Sequence, residues 1–436
     1  MGSASATGRR RTFAGSKDEK MTSPQAVDRP ETWRDWMVVV TSTVALTFSV
    51  THIYSMGVFI LPIEADMGWS RGEITGGLTA VSVVSVILSP FVGLLIDRIG
   101  SRRISIFGIL AFCAALALVS TSSSAIWNWW LLWGGVALGA VFIKPTVWMS
   151  AIAGRFTRRR GLAMGLAFCG LGLGSAIMPY LTNILIQTWG WRFSYVALAA
   201  IACTCALPMI LAFFRDSPVL ADAPESRVDR PGVGIREGFL SSRFVRIALT
   251  AFLAAAATIG ITVHFVPILV SYEISRNDAA AMASVIGMSS IAGRIMMGYL
   301  LDRLRGNVIG AIAFSLPIIA CLWLLAFDGS VASGIAIAAI VGFSLGAETD
   351  IIGYLSSRYF GLRNYGVLFG SIVGLLTFAA GVGPMIGGII HDSYGTYDPM
   401  IWGAIPIFAI CALLIGSLGA YPRFDAAPET PSSDEM

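Results

Sequence analysis

About twelve apolar stretches, each near 20 residues, follow one another along the chain, and no other feature constrains its fold as strongly. A helix rises 1.5 Å per residue and the hydrocarbon core of a bilayer is roughly 30 Å thick, so such a stretch has the length of one crossing. The stretches fall near residues 36–61, 74–96, 104–120, 129–153, 162–187 and 193–214, then 245–271, 281–301, 308–327, 332–355, 365–390 and 400–421. Charged residues make up only 13% of the chain and apolar ones 56%. A water-facing domain carries about 25% charged residues to solvate its surface, so the pattern predicts an all-α polytopic membrane protein.

Arg and Lys sort by loop. Arg98, Arg102 and Arg103 follow the second stretch, Arg155, Arg158, Arg159 and Arg160 the fourth, Arg303 and Arg305 the eighth, and Arg358 and Arg363 the tenth, whereas the alternate loops carry only Arg71, Arg192 and Arg276. Basic loops stay on the cytoplasmic side, so both termini are expected in the cytoplasm, with the protein in an inner cell membrane. The net charge of +4 belongs to these loops. With no basic patch interleaved with aromatics, nucleic-acid binding is not expected.

Residues 1–35 read as a polar cytoplasmic tail, with Met21 as an alternative start. Arg9-Arg10-Arg11 lies too far ahead of the first apolar run to form a twin-arginine signal. Residues 215–243, rich in Pro, Gly and charge, read as a cytoplasmic linker between bundles at 36–214 and 244–421, and residues 422–436 as a second tail. The two halves repeat one another. Gly93-x-x-x-Asp97-Arg98 returns as Gly298-x-x-x-Asp302-Arg303, while Gly165, Pro179 and Gly190 return at the same offset as Gly370, Pro384 and Gly395. A parallel repeat of this kind is the signature of carriers whose site lies between the halves near mid-membrane.

The run from Gly93 to Arg103 resembles the loop signature of the major facilitator superfamily, with Ser101 in place of one Arg. Gly68-Trp69-Ser70-Arg71, the stretch Arg294 to Arg303, and Gly346-Ala347-Glu348-Thr349-Asp350 followed by Arg358-Tyr359-Phe360-Gly361 resemble its monocarboxylate porter and oxalate/formate antiporter branch. The resemblance implies twelve transmembrane helices in two pseudo-symmetric six-helix bundles, a small organic anion as substrate, and proton symport or anion exchange. It also implies a cytoplasmic gate at Gly93, Asp97, Arg98, Arg102, Asp302 and Arg303, where Gly93 permits close helix contact and Asp97 pairs with a neighbouring cation. Ser290 stands where animal members carry an Asp, and Tyr54 where they carry a Lys, so their proton route does not transfer intact.

Ionisable groups inside the spans supply the candidate site, because each costs at least about 2.5 kcal/mol near mid-membrane unless it faces a wet cavity or a partner. Arg294 is the first candidate for the substrate carboxylate, since a guanidinium forms two parallel hydrogen bonds to a carboxylate. Lys144, before Pro145, is a candidate second cation, and Tyr54 and His264 are candidate substrate contacts. Glu348, Asp350 and His52 are candidates for proton coupling or ion pairing. Glu348 and Asp350 point about 200° apart on a helix, so only one is expected to face Arg294.

Competing classes find little support. The six cysteines all sit in apolar runs without metal-ligand spacing, and no catalytic set or phosphate loop is present, so neither an enzyme nor a metal or nucleotide cofactor is expected. The Gly-rich runs at 165–174 and 381–388 are expected to pack helices closely. The remaining alternative is a drug/proton or organic-anion antiporter. The expected partners are an organic anion, protons and the lipid bilayer, with a monomer sufficient for transport.

Overall fold

In a computed structural model, the structure describes Gly2 and residues 32–153, 155–156, 159–216, 232–361 and 363–422. Nearly all of both expected tails and most of the expected linker lie outside these residues. Among the described residues, 11 helices are long and apolar enough to cross a membrane. One of them, Leu162–Phe213, contains a break at Gly190, whose φ of 76° only glycine adopts without strain, so it supplies two crossings and the bundle has twelve.

The first crossing is three pieces, α1 (Trp33–Ser49), α2 (Thr51–Tyr54) and α3 (Met56–Met67). The Ser49 and Thr51 hydroxyls bond the Leu46 and Phe48 carbonyls at 2.8 Å, a back-bonding that competes with backbone donors and bends helices. The motif Gly68 to Arg71 is a helix stop and restart. Gly68 ends α3 in the left-handed region, and Ser70 with Glu73 forms a capping box at the start of α4 (Arg71–Ile99). The chain continues through α5 (Ser101–Leu118), α6 (Ile126–Val141), α7 (Pro145–Ala153) and α8 (Arg160–Phe213). After a short α9 (Ile235–Leu240) come α10 (Ser242–Ser271), α11 (Arg276–Arg303), α12 (Gly306–Leu325), α13 (Val331–Phe360), α14 (Tyr365–Tyr394) and α15 (Asp398–Gly416).

Buried side chains gather by half. The largest apolar cluster draws on residues from Val38 to Phe214, with Ile259 and Val263 from α10, and includes the buried aromatics Trp129, Trp133, Phe59 and Tyr195. Two further clusters draw almost wholly on residues from Phe244 to Leu418. The halves touch where α4 packs on α14, α8 on α11 and α3 on α10. An even number of crossings places the two ends of the described bundle, at Trp33 and Pro422, on one face, the terminus-bearing face, and the hydrogen bonds joining the halves cluster toward the opposite face. There Asn183 of α8 donates to Asn277 of α11 at 2.5 Å, and Thr79 of α4 donates to the Gly381 carbonyl of α14 at 2.8 Å.

Candidate functional site

Arg294 of α11 and Asp350 of α13 form an ion pair, Nη1 to Oδ1 at 2.6 Å. Both remain partly accessible, at 23% and 27% of their side-chain surface. The Arg294 guanidinium also lies 5.8 Å from the ring centre of Phe168, which α8 contributes from the other half. The structure therefore resolves which carboxylate faces the arginine. Glu348 turns the other way and is 5% exposed, and its Oε1 accepts from the Thr258 hydroxyl of α10 at 2.6 Å.

Tyr54, on the short α2 segment, is within electrostatic reach of both Arg294 and Glu348. The bent first crossing thus brings an N-half phenol to the C-half charges. His52 is buried on the other side of the same segment, 5.7 Å edge-on from Phe112, and within reach of Lys144. Lys144 sits at a break in the fourth crossing. The helix stops at Val141 and restarts at Pro145, which cannot donate to the preceding turn. Trp148 Nε1 donates to the Ile143 carbonyl in this break at 2.9 Å. The Lys144 side chain has no ion pair or hydrogen bond among the described residues.

His264 is not part of this group. It is fully buried between α10, α14 and the turn before α15, with Nε2 donating to the Pro384 carbonyl at 2.8 Å and Nδ1 accepting from the Tyr397 hydroxyl at 2.9 Å. Tyr397 in turn accepts from Arg71 Nη1 at 3.0 Å, and Arg71 Nε donates to Glu64. Arg71, Tyr397 and His264 form a single directed chain of hydrogen bonds across the two halves on the face away from the termini. With both ring nitrogens engaged, His264 is a structural member of that chain in this conformation.

At the terminus-bearing face, the signature loop is held by a residue the sequence reading missed. Asp216 accepts from the Ser101 hydroxyl at 3.0 Å and from the Arg102 N–H at 2.8 Å, capping the start of α5, while the Arg102 side chain donates to the Leu211 carbonyl. Asp216 lies close against Gly100, whose φ of 86° and crowded Cα position exclude a side chain. Arg155 pairs with Asp35 at 3.1 Å. The expected Asp97 pairing and the Gly93 contact rest on side-chain positions outside the described residues, as does the Asp302 side chain. Arg98 is exposed, Arg303 stacks on Tyr299 at 4.2 Å, and a side chain added at Gly298 would meet open space, so this repeat glycine does not serve close packing here. Asp216 and Asp392 carried no sequence signal beyond being polar groups near helix ends, and Thr258 none beyond being a hydroxyl in the middle of α10.

The profile of the Major Facilitator Superfamily matches residues 39–379, and the chain belongs to that family. It is similar to monocarboxylate transporter 10 of Danio rerio, 24% identical over 436 residues, covering 91% of this chain and 81% of that protein. It is also similar to the agnestins efflux protein of Paecilomyces divaricatus, 26% identical over 331 residues, covering 75% and 72%. Among solved structures, a mutant of the nucleoside transporter NupG shares the fold with a TM-score of 0.71 at 10% identity, covering 88% of this chain and 98% of that one. The protein is a transporter rather than an enzyme.

Proposed function

We propose that this transporter is a secondary carrier for a small organic anion of the monocarboxylate type, coupled to protons and working by alternating access. The two bundles, at 36–214 and 244–421, rock about a central site. One observation carries the reading: Arg294 is held by Asp350 through a single hydrogen bond, stays partly accessible, and has Tyr54 within electrostatic reach and Phe168 close by from the opposite half. A guanidinium so placed has donors left for a substrate carboxylate, and side chains from both halves let binding couple to their movement. Lys144 is the second cation. Glu348 is the proton-sensitive group, because desolvation disfavours the ionised form of a carboxylate. The positive-loop asymmetry supports cytoplasmic termini, so the present conformation, joined on the far face, reads as inward-facing.

One observation favours a second reading. Glu348 is a buried carboxylate bonded to a hydroxyl and not to a cation, which is also what a cationic-drug/proton antiporter requires. Uptake of radiolabelled lactate, pyruvate, oxalate and formate into proteoliposomes, with and without an inward proton gradient, separates the two. Gradient-stimulated uptake of one anion, lost in Arg294→Ala, supports the carboxylate carrier. Absence of uptake of all four by folded protein rejects it and directs the search to cationic compounds.

A further inference from the structure

Four arginines surround the end of α15 on the terminus-bearing face, and none of them pairs with a described carboxylate. Arg246 Nη1 donates to the Ser417 carbonyl at 2.8 Å. The Arg243 guanidinium lies 5.5 Å from the ring centre of Tyr359, Tyr359 lies 5.1 Å from Tyr421, and the Arg358 guanidinium lies 4.7 Å from Tyr421. The two rings are fixed by their hydroxyls. Tyr359 donates to the Gly419 carbonyl at 2.6 Å, and Tyr421 accepts from the Gly306 N–H at 2.9 Å. Arg305 immediately precedes Gly306 as the N-cap of α12 and is exposed, as is Arg358.

The cluster is therefore a pair of pinned tyrosines flanked by guanidiniums, with two further arginines beside it. Like charges gathered on one face repel one another, and an anion among them relieves that repulsion. Stacking on a fixed ring spares a guanidinium part of the ordering cost of binding, and its planar fork matches the oxygens of a phosphate. The guanidinium donors of Arg243, Arg305 and Arg358 are free of protein acceptors among the described residues. The surroundings are apolar and outward-facing: Leu240, Val245 and Leu304 are 74%, 55% and 52% exposed. Arginines beside such residues at the end of membrane-crossing helices lie at headgroup level.

We propose that Arg243, Arg246, Arg305 and Arg358 form a binding site for the phosphate headgroup of an anionic lipid in the leaflet on the terminus-bearing side. The site lies within the C-terminal half and is separate from the Arg294 group. Its occupant ties α10, α12, α13 and the end of α15 to the membrane surface.

The test is native mass spectrometry of the full chain released from nanodiscs of phosphatidylcholine with one-fifth phosphatidylglycerol. Wild type is expected to retain phosphatidylglycerol in preference to phosphatidylcholine. Arg243→Gln with Arg358→Gln should cut that retention by about 25-fold, at about five-fold for each arginine near a membrane surface. Arg243→Lys with Arg358→Lys, which keeps the charge, should recover part of it, and unchanged gel-filtration profiles establish that the variants are folded. Equal retention by wild type and the Gln variant overturns the proposal. So does retention that rises only when Asp425, Glu429, Asp434 and Glu435 are neutralised, because the acidic tail is then the occupant. If inorganic phosphate raises the melting temperature of detergent-solubilised protein as much as phosphatidylglycerol does, the ligand is a soluble phosphate and the lipid assignment falls.

Discussion

Asp392, at the end of α14, caps the start of α4 in the other half of the molecule: its Oδ2 accepts from the Gly72 N–H at 2.8 Å, and its Oδ1 from the Arg71 N–H at 3.0 Å. A helix start presents unsatisfied N–H groups and the positive end of its dipole, so a carboxylate there is well placed. Here the cap comes from the opposite bundle. The approach depends on two glycines, since a side chain added at Gly388 would strike the Gly72 nitrogen at 2.6 Å and one added at Gly72 would strike Ile389 at 2.9 Å. The closed face is therefore fastened by an interaction that must break whenever the halves part there.

Removing the cap should favour the alternative conformation. Charge-assisted hydrogen bonds contribute about 1.5–3 kcal/mol each, so Asp392→Ala is expected to shift the balance by about ten-fold or more. The readout is disulfide formation between Asn183→Cys and Asn277→Cys, in a background lacking the six native cysteines. The positions are in hydrogen-bond contact across the same face, and cross-linking should slow markedly in the Asp392→Ala protein. An unchanged rate would show that the cap does not hold the face shut.

Arg294 and Asp350 can be separated into structural and transport roles. Removing one partner of a buried pair leaves an uncompensated charge and costs about 3–5 kcal/mol, less where both partners keep some contact with water, as here. Arg294→Gln and Asp350→Asn should each lower the melting temperature, and the double variant should recover most of that loss. Transport should stay absent in every variant lacking Arg294. Recovery of uptake in the double variant would reduce the pair to a structural element.

The fold was legible because its signals are additive over many residues: twelve apolar runs, a basic-loop alternation and a repeat at one offset. The candidate site was legible at the level of residue type, since an intramembrane Arg, Lys or Glu is conspicuous against apolar neighbours. Its wiring was not. The i, i+2 geometry allowed one carboxylate to face Arg294 but not which one, and that depended on Thr258 being available to Glu348. Asp392 and Asp216 could not be singled out because their partners lie far away in sequence. His264 shows the converse, a titratable group inside a span whose two nitrogens are taken up by Tyr397 and Pro384 in this conformation.

In the proposed carrier, Glu348 is the group to which proton coupling is assigned. It is buried, it accepts a hydrogen bond from the neutral Thr258 hydroxyl, and it lies within electrostatic reach of Tyr54. Glu348→Gln keeps the shape and a hydrogen bond to Thr258 while removing the titration. Uptake by this variant should lose its dependence on external pH across the range where wild type responds, with exchange of labelled for unlabelled anion less affected. A wild-type pH profile in Glu348→Gln would dismiss it as the coupling group.

Lys144 offers the sharpest contrast between stability and function. It stands at the break between α6 and α7, its side chain with no ion pair or hydrogen bond among the described residues, and an ionisable group near mid-membrane costs at least about 2.5 kcal/mol. A fold that served itself alone would gain from an apolar residue of the same length. Lys144→Met is accordingly expected to melt at the same temperature as wild type or higher, while uptake of anionic substrate falls by more than about ten-fold, the loss of one charge-assisted hydrogen bond in a site shielded from water. Lys144→Arg, which keeps the charge, should retain measurable uptake. Full transport by the Met variant would place Lys144 outside the substrate path and leave Arg294 as the anion's cation.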